Sequence, residues 1–172
     1  LQWRHDPICF FRVGVGGLQS NLKAFRDIAR RAAAAGIREC ITSFCDDYRK
    51  IRHRLGPQQP LCLEFPGAEA QVPVIEEMLT VLAPLGMRLR TCCEGGLLER
   101  LPTGLNLTAG RCVDHDRLEA LYGGQLSRRV DSGQRRSAGC GCHQSVDIGS
   151  YRLHPCRHNC LYCYANPVQG ND

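Results

Sequence analysis

The sequence contains no run of about 18 apolar residues, the length that a membrane-spanning helix requires. No secretory signal pattern is visible either, and the first residue is Leu1 instead of an initiator methionine. A concentrated basic segment is also missing: the net charge is +5 and the arginines are scattered, so nucleic acid is a weakly supported partner. We therefore expect a soluble, cytoplasmic protein without a membrane partner, of which these residues form the C-terminal part.

Cysteine, in contrast, is abundant, with 12 among 172 residues. In a short secreted chain this number would indicate a disulfide framework. Because no secretion signal is visible, and because helical and strand patterns predict a normal core, metal binding in a reducing cytosol is the better interpretation.

The last part of the chain concentrates this chemistry. Cys156, Cys160 and Cys163 are spaced C-x3-C-x2-C, and the aromatic Tyr162 precedes the last of them. Three thiolates can hold three corners of a 4Fe–4S cluster and leave one iron without a protein ligand. An open iron can coordinate a substrate, as an open position on catalytic zinc does. The alternative is a closed zinc or cluster site that only fixes the C-terminus.

This motif, with its aromatic residue, resembles the cluster motif of the radical S-adenosylmethionine enzymes. Residues 140–151, the triad and residues 164–166 together resemble an uncharacterised bacterial family whose radical-SAM-like cysteine cluster lies at the C-terminus. The family usually has Pro and Gly where this chain has Arg157 and Asn159, and Asn tolerates the left-handed backbone of a Gly. The resemblance also covers residues 3–8, 43–50, 91–92 and 110–112.

The resemblance implies a 4Fe–4S cluster on the triad, with its open iron chelated by the amino and carboxylate groups of S-adenosylmethionine. It implies reductive cleavage to methionine and a 5′-deoxyadenosyl radical that acts on an unknown substrate, with an electron donor such as flavodoxin or ferredoxin. We expect Tyr162 to lie beside the adenine of the cofactor. The alternative function is a non-catalytic zinc or iron–sulfur module, in contact with nucleic acid.

Four further cysteines fall at positions that match this family, and four thiolates complete a tetrahedral or cubane-type site. Cys140 and Cys142 are two residues apart, so both can reach one metal, and Cys92 and Cys112 could converge there. They are expected to form a second site, for zinc or another iron–sulfur cluster; the alternative is that Cys92 and Cys112 are small buried hydrophobes. Expected core residues are Cys9, Cys40, Cys45 and Cys62, whereas Cys93 is ambiguous and His154 and His158 are either ligands or ordinary loop residues.

Apolar periodicity predicts an α/β fold of repeated strand–helix units. Parallel strands are expected near residues 1–6, 38–44 and 87–92, joined by right-handed crossovers with helices packed outside. Residues 1–124 are expected to form three βα units, the C-terminal half of a partial parallel barrel. Residues 125–172 are expected to form an irregular, cysteine-rich tail that binds the cluster.

Details within this frame can also be predicted. Pro7 is expected to end the first strand. Arg4 and Asp6 share one face of that strand and form either an internal ion pair or a polar set at the mouth of a barrel. Helices are expected from Ser20 to Gly36, from Pro73 to Ala83 and from Asp114 to Tyr122, and loops at 13–17, 56–71 and 101–113.

Overall fold

A computed structural model describes residues 1–55, 60–146, 148–150, 153–154, 156, 158 and 160–163. The strands are β1 (Trp3–Ile8), β2 (Phe10–Val13), β3 (Gln19–Ser20), β4 (Glu39–Phe44), β5 (Leu61–Glu64), β6 (Arg88–Thr91) and β7 (Leu107–Ala109). The helices are α1 (Phe25–Ala34), α2 (Arg49–Leu55), α3 (Ala68–Leu82), α4 (Gly95–Leu98) and α5 (His115–Tyr122), with 3-10 turns at Ala83–Leu85 and Arg136–Ala138. A membrane-spanning segment is not found among these helices, since none has the length and apolar character for it.

Four parallel strands form the main sheet, in the order β1-β4-β6-β7. Trp3, Cys40, Leu89 and Leu107 lie opposite one another in a single row across it. The α/β fold and the parallel pairing of the three predicted strands are confirmed. The prediction of a loop at 101–113 was wrong in part, because β7 lies inside it; three residues are too few to show a strand period.

One face of this sheet is covered by α1 and α3. Leu89 and Cys40 are fully buried and belong to one apolar cluster with the helices. At the cluster's edge the indole of Trp3 stacks on the ring of Phe25, with centroids 5.1 Å apart. The helices contribute Phe25, Ala29 and Ala32 from α1 and Ile75, Met78, Val81 and Leu82 from α3. This core fixes the position and direction of the strands relative to the helices, and therefore the place where the strands end.

A second, antiparallel sheet of order β3-β2-β5 was not predicted. Strand β5 lies inside the segment 56–71, which was expected to be a loop, whereas residues 14–17 between β2 and β3 form a loop as expected. The strands of this sheet have two to four residues, and their exposed positions carry no clear alternation. Gly14 adopts a positive φ of 56° where β2 ends, and its N–H donates to the carbonyl of Pro60 at 2.9 Å.

Several boundaries also differ from the prediction. Strand β1 continues through Pro7, which an edge strand tolerates because its missing N–H interrupts no second ladder. Ser20 lies in β3, and α1 begins later, at Phe25. Helix α3 begins at Ala68, so Pro73 lies inside it instead of at its start. The expected helix at residues 114–122 is present, with the Asp114 carboxylate accepting from the Arg117 N–H at 3.3 Å.

The main sheet depends on the packing of Leu89, so Leu89→Ala should lower the free energy of unfolding by about 2–5 kcal/mol, the cost of a core cavity. Leu121→Ala is the matched control, because Leu121 on α5 is 62% exposed and should change stability by no more than about 0.5 kcal/mol. Urea-induced unfolding, followed by circular dichroism, measures both. Equal losses in the two variants would contradict this placement of the core.

Candidate metal centre

The carboxyl ends of the parallel strands open into a cavity of about 620 Å³. Parallel strands all end at one edge of a sheet, and α/β proteins place ligands there. Cys45 follows β4, Cys92 follows β6 and Cys112 lies just beyond β7. The thiol-bearing residues that line the cavity are Cys45, Cys92, Cys93, Cys112, Cys140, Cys142, Cys160 and Cys163. Soft sulfur ligands are therefore the dominant donors at this edge.

Three of these sulfurs converge closely. The Sγ atoms of Cys92, Cys112 and Cys142 all lie within 4.8 Å of one another, and those of Cys92 and Cys112 are 3.3 Å apart. Three thiolates on one tetrahedral ion with Zn–S of about 2.3 Å have sulfurs about 3.8 Å apart. The observed spacing therefore fits a single shared ion, and the donor set suits zinc or iron–sulfur chemistry.

Backbone hydrogen bonds bring the three cysteines together. The N–H of Cys92 donates to the carbonyl of Thr42 at 2.8 Å, and the N–H of Gly110 donates to the carbonyl of Thr91 at 2.6 Å. A Cβ on Gly110 would lie only 3.1 Å from that carbonyl oxygen, so a larger residue here would push the backbone of Thr91 by a few tenths of an ångström. The third cysteine arrives from a later loop, whose Cys142 Sγ accepts from the Cys112 N–H at 3.1 Å.

The loop that carries Cys142 is held in place by hydrogen bonds of the next residue, His143. The N–H of His143 donates to the carbonyl of Val113 at 3.0 Å, and its Nδ1 accepts from the N–H of His115 at 2.9 Å. His143 is 4% exposed, and its ring packs on that of His115 with centroids 4.8 Å apart. Residues 142–143 are thereby tied to the segment between β7 and α5, which holds Cys142 beside Cys112.

The electrostatics favour a thiolate at Cys112. The hydrogen bond from the Cys92 thiol and the adjacent Arg4 guanidinium outweigh burial and lower the pKa of Cys112 to about 5. The same contact and burial raise the pKa of Cys92, which therefore keeps its proton in the metal-free protein. Arg4 also pairs with Asp6 at 2.5 Å, and both residues line the cavity. They therefore form an ion pair and are also part of the polar lining at the ends of the strands.

Cys140, the fourth predicted member, lies outside this group of three. It is buried and lines the same cavity, and burial raises the pKa of its thiol to about 11. Its N–H donates to the carbonyl of Arg135 at 3.2 Å, which fixes it at the end of the 3-10 turn. The structure therefore brings together three of the four cysteines of the expected second site, with Cys140 beside them.

The tail triad reaches the same cavity through two of its members. Cys160 and Cys163 line it and are half-buried, whereas Cys156 is exposed. The Arg54 guanidinium on α2 donates to the carbonyl of Cys160 at 2.7 Å, which ties this turn to the body of the protein. Among the described residues the three tail sulfurs do not form a group as close as the first one.

Tyr162 also lines the cavity, between the two tail cysteines that reach it. Its side chain is 39% exposed, and burial together with the neighbouring Cys160 raises the pKa of its hydroxyl. The ring is thus accessible from the cavity, as a stacking surface must be.

The remaining candidates are distributed differently from the prediction. Cys9 and Cys40 are buried, as expected for core residues. Cys62 is exposed on β5, and Cys45 is half-buried at the cavity wall, so their assignment to the core was wrong. The ambiguous Cys93 has a positive φ of 62° and lines the cavity. Both His154 and His158 are exposed, and residues 147, 151, 157, 159 and 164–166 of the stretch that carries the family resemblance lie outside the described residues.

Sequence reasoning missed Glu94. Its carboxylate accepts from the N–H of Phe44 at 2.8 Å, and burial raises its pKa to about 7. The signal that could have indicated it is its position, directly before Gly95 and Gly96 and just after the end of β6. Close by, Arg135 pairs with Asp46 and lies over the ring of Tyr48, 5.7 Å from its centroid. Asp46, Tyr48 and Arg135 add a polar side to the cavity, whereas Glu94 is not among the residues that line it.

Comparison with protein families matches residues 1–165 to the family described as "Domain of unknown function (DUF1848)". No curated protein and no solved structure matches the chain. The match covers most of the chain, including the sheet, the three converging cysteines and the tail triad.

Metal binding should depend on the three converging sulfurs. Cys112→Ser and Cys142→Ser should each weaken Co²⁺ binding, because each removes a thiolate from the ion. The loss of affinity should exceed the about 10–100-fold that is typical when only a neighbour of a metal ligand is replaced. Cys62→Ser is the matched control, since Cys62 is exposed on β5. Thiolate-to-Co²⁺ charge-transfer absorbance measures the affinity, and an equal affinity in all three variants would exclude this site.

Thiol reactivity should single out Cys112 in the metal-free protein. With its pKa near 5, it is deprotonated above that value, so its alkylation by iodoacetamide should slow only as pH falls through about 5. Arg4→Gln removes a charge that favours the thiolate and should move this decline to higher pH. The control is Arg12→Gln, whose guanidinium pairs with Glu64 on the other sheet. Peptide mass spectrometry gives the rate at each cysteine, and a decline near pH 8.5, as for a free cysteine, would refute the assignment.

Proposed function

The chain belongs to the DUF1848 family of unknown function, and from its site we propose an iron–sulfur protein that resembles the radical S-adenosylmethionine enzymes. The observation that carries the proposal is the position of Cys160, Tyr162 and Cys163 on the wall of the cavity at the carboxyl edge of the parallel sheet. A structural cluster needs no cavity, whereas a cluster with an open iron needs one that admits its cofactor.

The donor set of the tail fits the proposed group. Cys156, Cys160 and Cys163 would supply three thiolates, the number that leaves one iron of a 4Fe–4S cluster without a protein ligand. When bound, such a cluster would chelate S-adenosylmethionine and supply the electron that cleaves it to methionine and a 5′-deoxyadenosyl radical. The electron would come from a donor such as flavodoxin or ferredoxin.

The size and lining of the cavity agree with this assignment. Pockets for small molecules and cofactors have volumes of about 300–1,000 Å³, and this one has about 620 Å³. Tyr162 offers an aromatic face for the adenine, and stacking of this kind contributes about 1–3 kcal/mol in nucleic-acid sites. Arg135, Asp46 and Gln134 line the other part of the cavity and would orient the unknown substrate.

The fold supports a finer architectural proposal. Four parallel strands with helices on one face, and with a site at their carboxyl ends, correspond to part of a βα barrel. We propose that residues 1–124 are the C-terminal half of such a partial barrel and that residues 125–172 form its cluster-binding tail. The tail then closes the end of the barrel at which the strands finish.

A second candidate function is favoured by the converging trio. Cys92, Cys112 and Cys142 need only one more ligand to complete a tetrahedral zinc site, and Cys140 lies beside them. A site closed in this way would make the protein a non-catalytic metal-binding module. The two functions are compatible if the trio holds a zinc ion or a second cluster next to the proposed catalytic one.

Anaerobic reconstitution of the protein with iron and sulfide should yield an oxygen-sensitive cluster that cleaves S-adenosylmethionine when reduced. Cys160→Ala should abolish both the cluster absorbance and 5′-deoxyadenosine formation, because one corner of the cluster loses its thiolate. Tyr162→Ala should retain the cluster and bind the cofactor more weakly by roughly one to two powers of ten, the equivalent of a lost stacking contact.

Tyr122→Ala provides the control for the aromatic substitution, because Tyr122 is 83% exposed on α5. Electron paramagnetic resonance of the reduced cluster gives the decisive measurement, since a cofactor on the open iron must change the signal. A wild-type signal that ignores added S-adenosylmethionine would exclude the open iron and favour the metal-binding module.

A further inference from the structure

A second pair of thiols, separate from the converging trio, lies where β1 and β4 end. Ile8 and Phe44 are paired across the two strands, and Cys9 and Cys45 are the residues that follow them. The N–H of Cys45 donates to the carbonyl of Ile8 at 2.8 Å. Neighbouring strands are about 4.7–4.9 Å apart, within the Cα separations of about 4.4–6.8 Å that a disulfide spans. The position of the two residues at neighbouring strand ends is therefore compatible with a bridge between them.

The two thiols lie at neighbouring strand ends, but only Cys45 lines the cavity. The Cys9 thiol donates to the carbonyl of Pro7 at 3.8 Å and the Cys45 thiol to the carbonyl of Asp46 at 3.9 Å. Cys45 is half-buried at the cavity wall, whereas Cys9 is only 5% exposed. The interaction between the two thiols lowers the pKa of Cys45 and, together with burial, raises that of Cys9. An accessible nucleophilic sulfur is thus backed by a buried, protonated one.

Asn21 holds the buried member in place. Its Oδ1 accepts from the Cys9 N–H at 3.0 Å, and its Nδ2 donates to the carbonyl of Pro7 at 2.9 Å. Its own N–H donates to the carbonyl of Cys9 at 3.2 Å. These three bonds fix the backbone on both sides of the Cys9 thiol, so the pair keeps its orientation while Cys45 reacts.

We propose that Cys9 and Cys45 form a redox-active dithiol whose substrate is a low-molecular-weight disulfide that enters the cavity. The Cys45 thiolate attacks one sulfur of the disulfide, forms a mixed disulfide and releases one thiolate. Cys9 then loses its proton to that thiolate and attacks the Cys45 sulfur, which forms the Cys9–Cys45 disulfide and releases the second thiolate. The small disulfide gains two electrons, which the protein dithiol loses. The proposal does not depend on the tail cluster.

Mass spectrometry after equilibration in glutathione buffers tests this proposal on the full chain. Trypsin cleavage after Arg4 and Arg12 releases Cys9 in one peptide, and cleavage after Arg38 and Arg49 releases Cys45 in another, with Cys40. After acid quenching and alkylation of free thiols, the two peptides should be disulfide-linked in a fraction that rises with the ratio of glutathione disulfide to glutathione. Fragmentation should place the link on Cys45.

Two variants separate the roles of the cysteines. Cys9→Ser should trap glutathione on Cys45 as a stable mixed disulfide, because the resolving thiol is missing. Cys45→Ser should abolish both the link and the glutathione adduct at this pair. Cys62→Ser, at an exposed cysteine on β5, should leave the link unchanged.

The wild-type measurement decides the proposal even if a variant fails to fold. Linked peptides that appear in the wild type at Cys9 and Cys45 support it. If Cys9 and Cys45 stay fully alkylatable at every glutathione ratio while Cys62 becomes glutathionylated, the proposal is overturned. A link from Cys45 to any cysteine other than Cys9 would overturn it as well.

Discussion

The parallel alignment of β1, β4, β6 and β7 is the constraint on which the site depends. Because the strands run in one direction, the residues after each of them emerge at the same edge. Cys45, Cys92 and Cys112 are far apart in the sequence, yet all line one cavity for this reason. A strand reversed within this sheet would place its cysteine at the opposite edge and dismantle the site.

Charge balance is the second requirement of this cavity. Three thiolates on one divalent ion carry a net charge of −1, which is costly in a half-buried place unless a cation lies close. Arg4 supplies that cation beside Cys112, and its own pairing with Asp6 holds it there. Elsewhere in the lining, Arg135 pairs with Asp46 near the half-buried Glu94. The sulfur site and the polar side of the cavity are therefore balanced by separate ion pairs.

Sequence reasoning succeeded where a pattern was long or a residue type was rare. The apolar run of β4 predicts a buried parallel strand, and the family resemblance predicts that Cys92, Cys112 and Cys142 converge. It failed where the strands are short, as in β7 and in the antiparallel sheet. Strands of two to four residues show no period in the sequence and form only through pairing with a neighbouring strand. The exposure of a single cysteine cannot be predicted from the sequence either. Cys62 and Cys40 both lie in short strands, but Cys62 is exposed and Cys40 is buried, because different elements pack against them. Arg4 beside Cys112 is a contact between distant segments, which no local pattern encodes.

The hydrogen bond between Arg54 and Cys160 joins residues that are 106 positions apart in the sequence. Contacts of such long range form late in folding, because closing a long loop costs entropy before the contact repays it. The tail turn can dock only after the sheet and α2 exist, so the part of the cavity wall that Cys160 and Cys163 form is completed last.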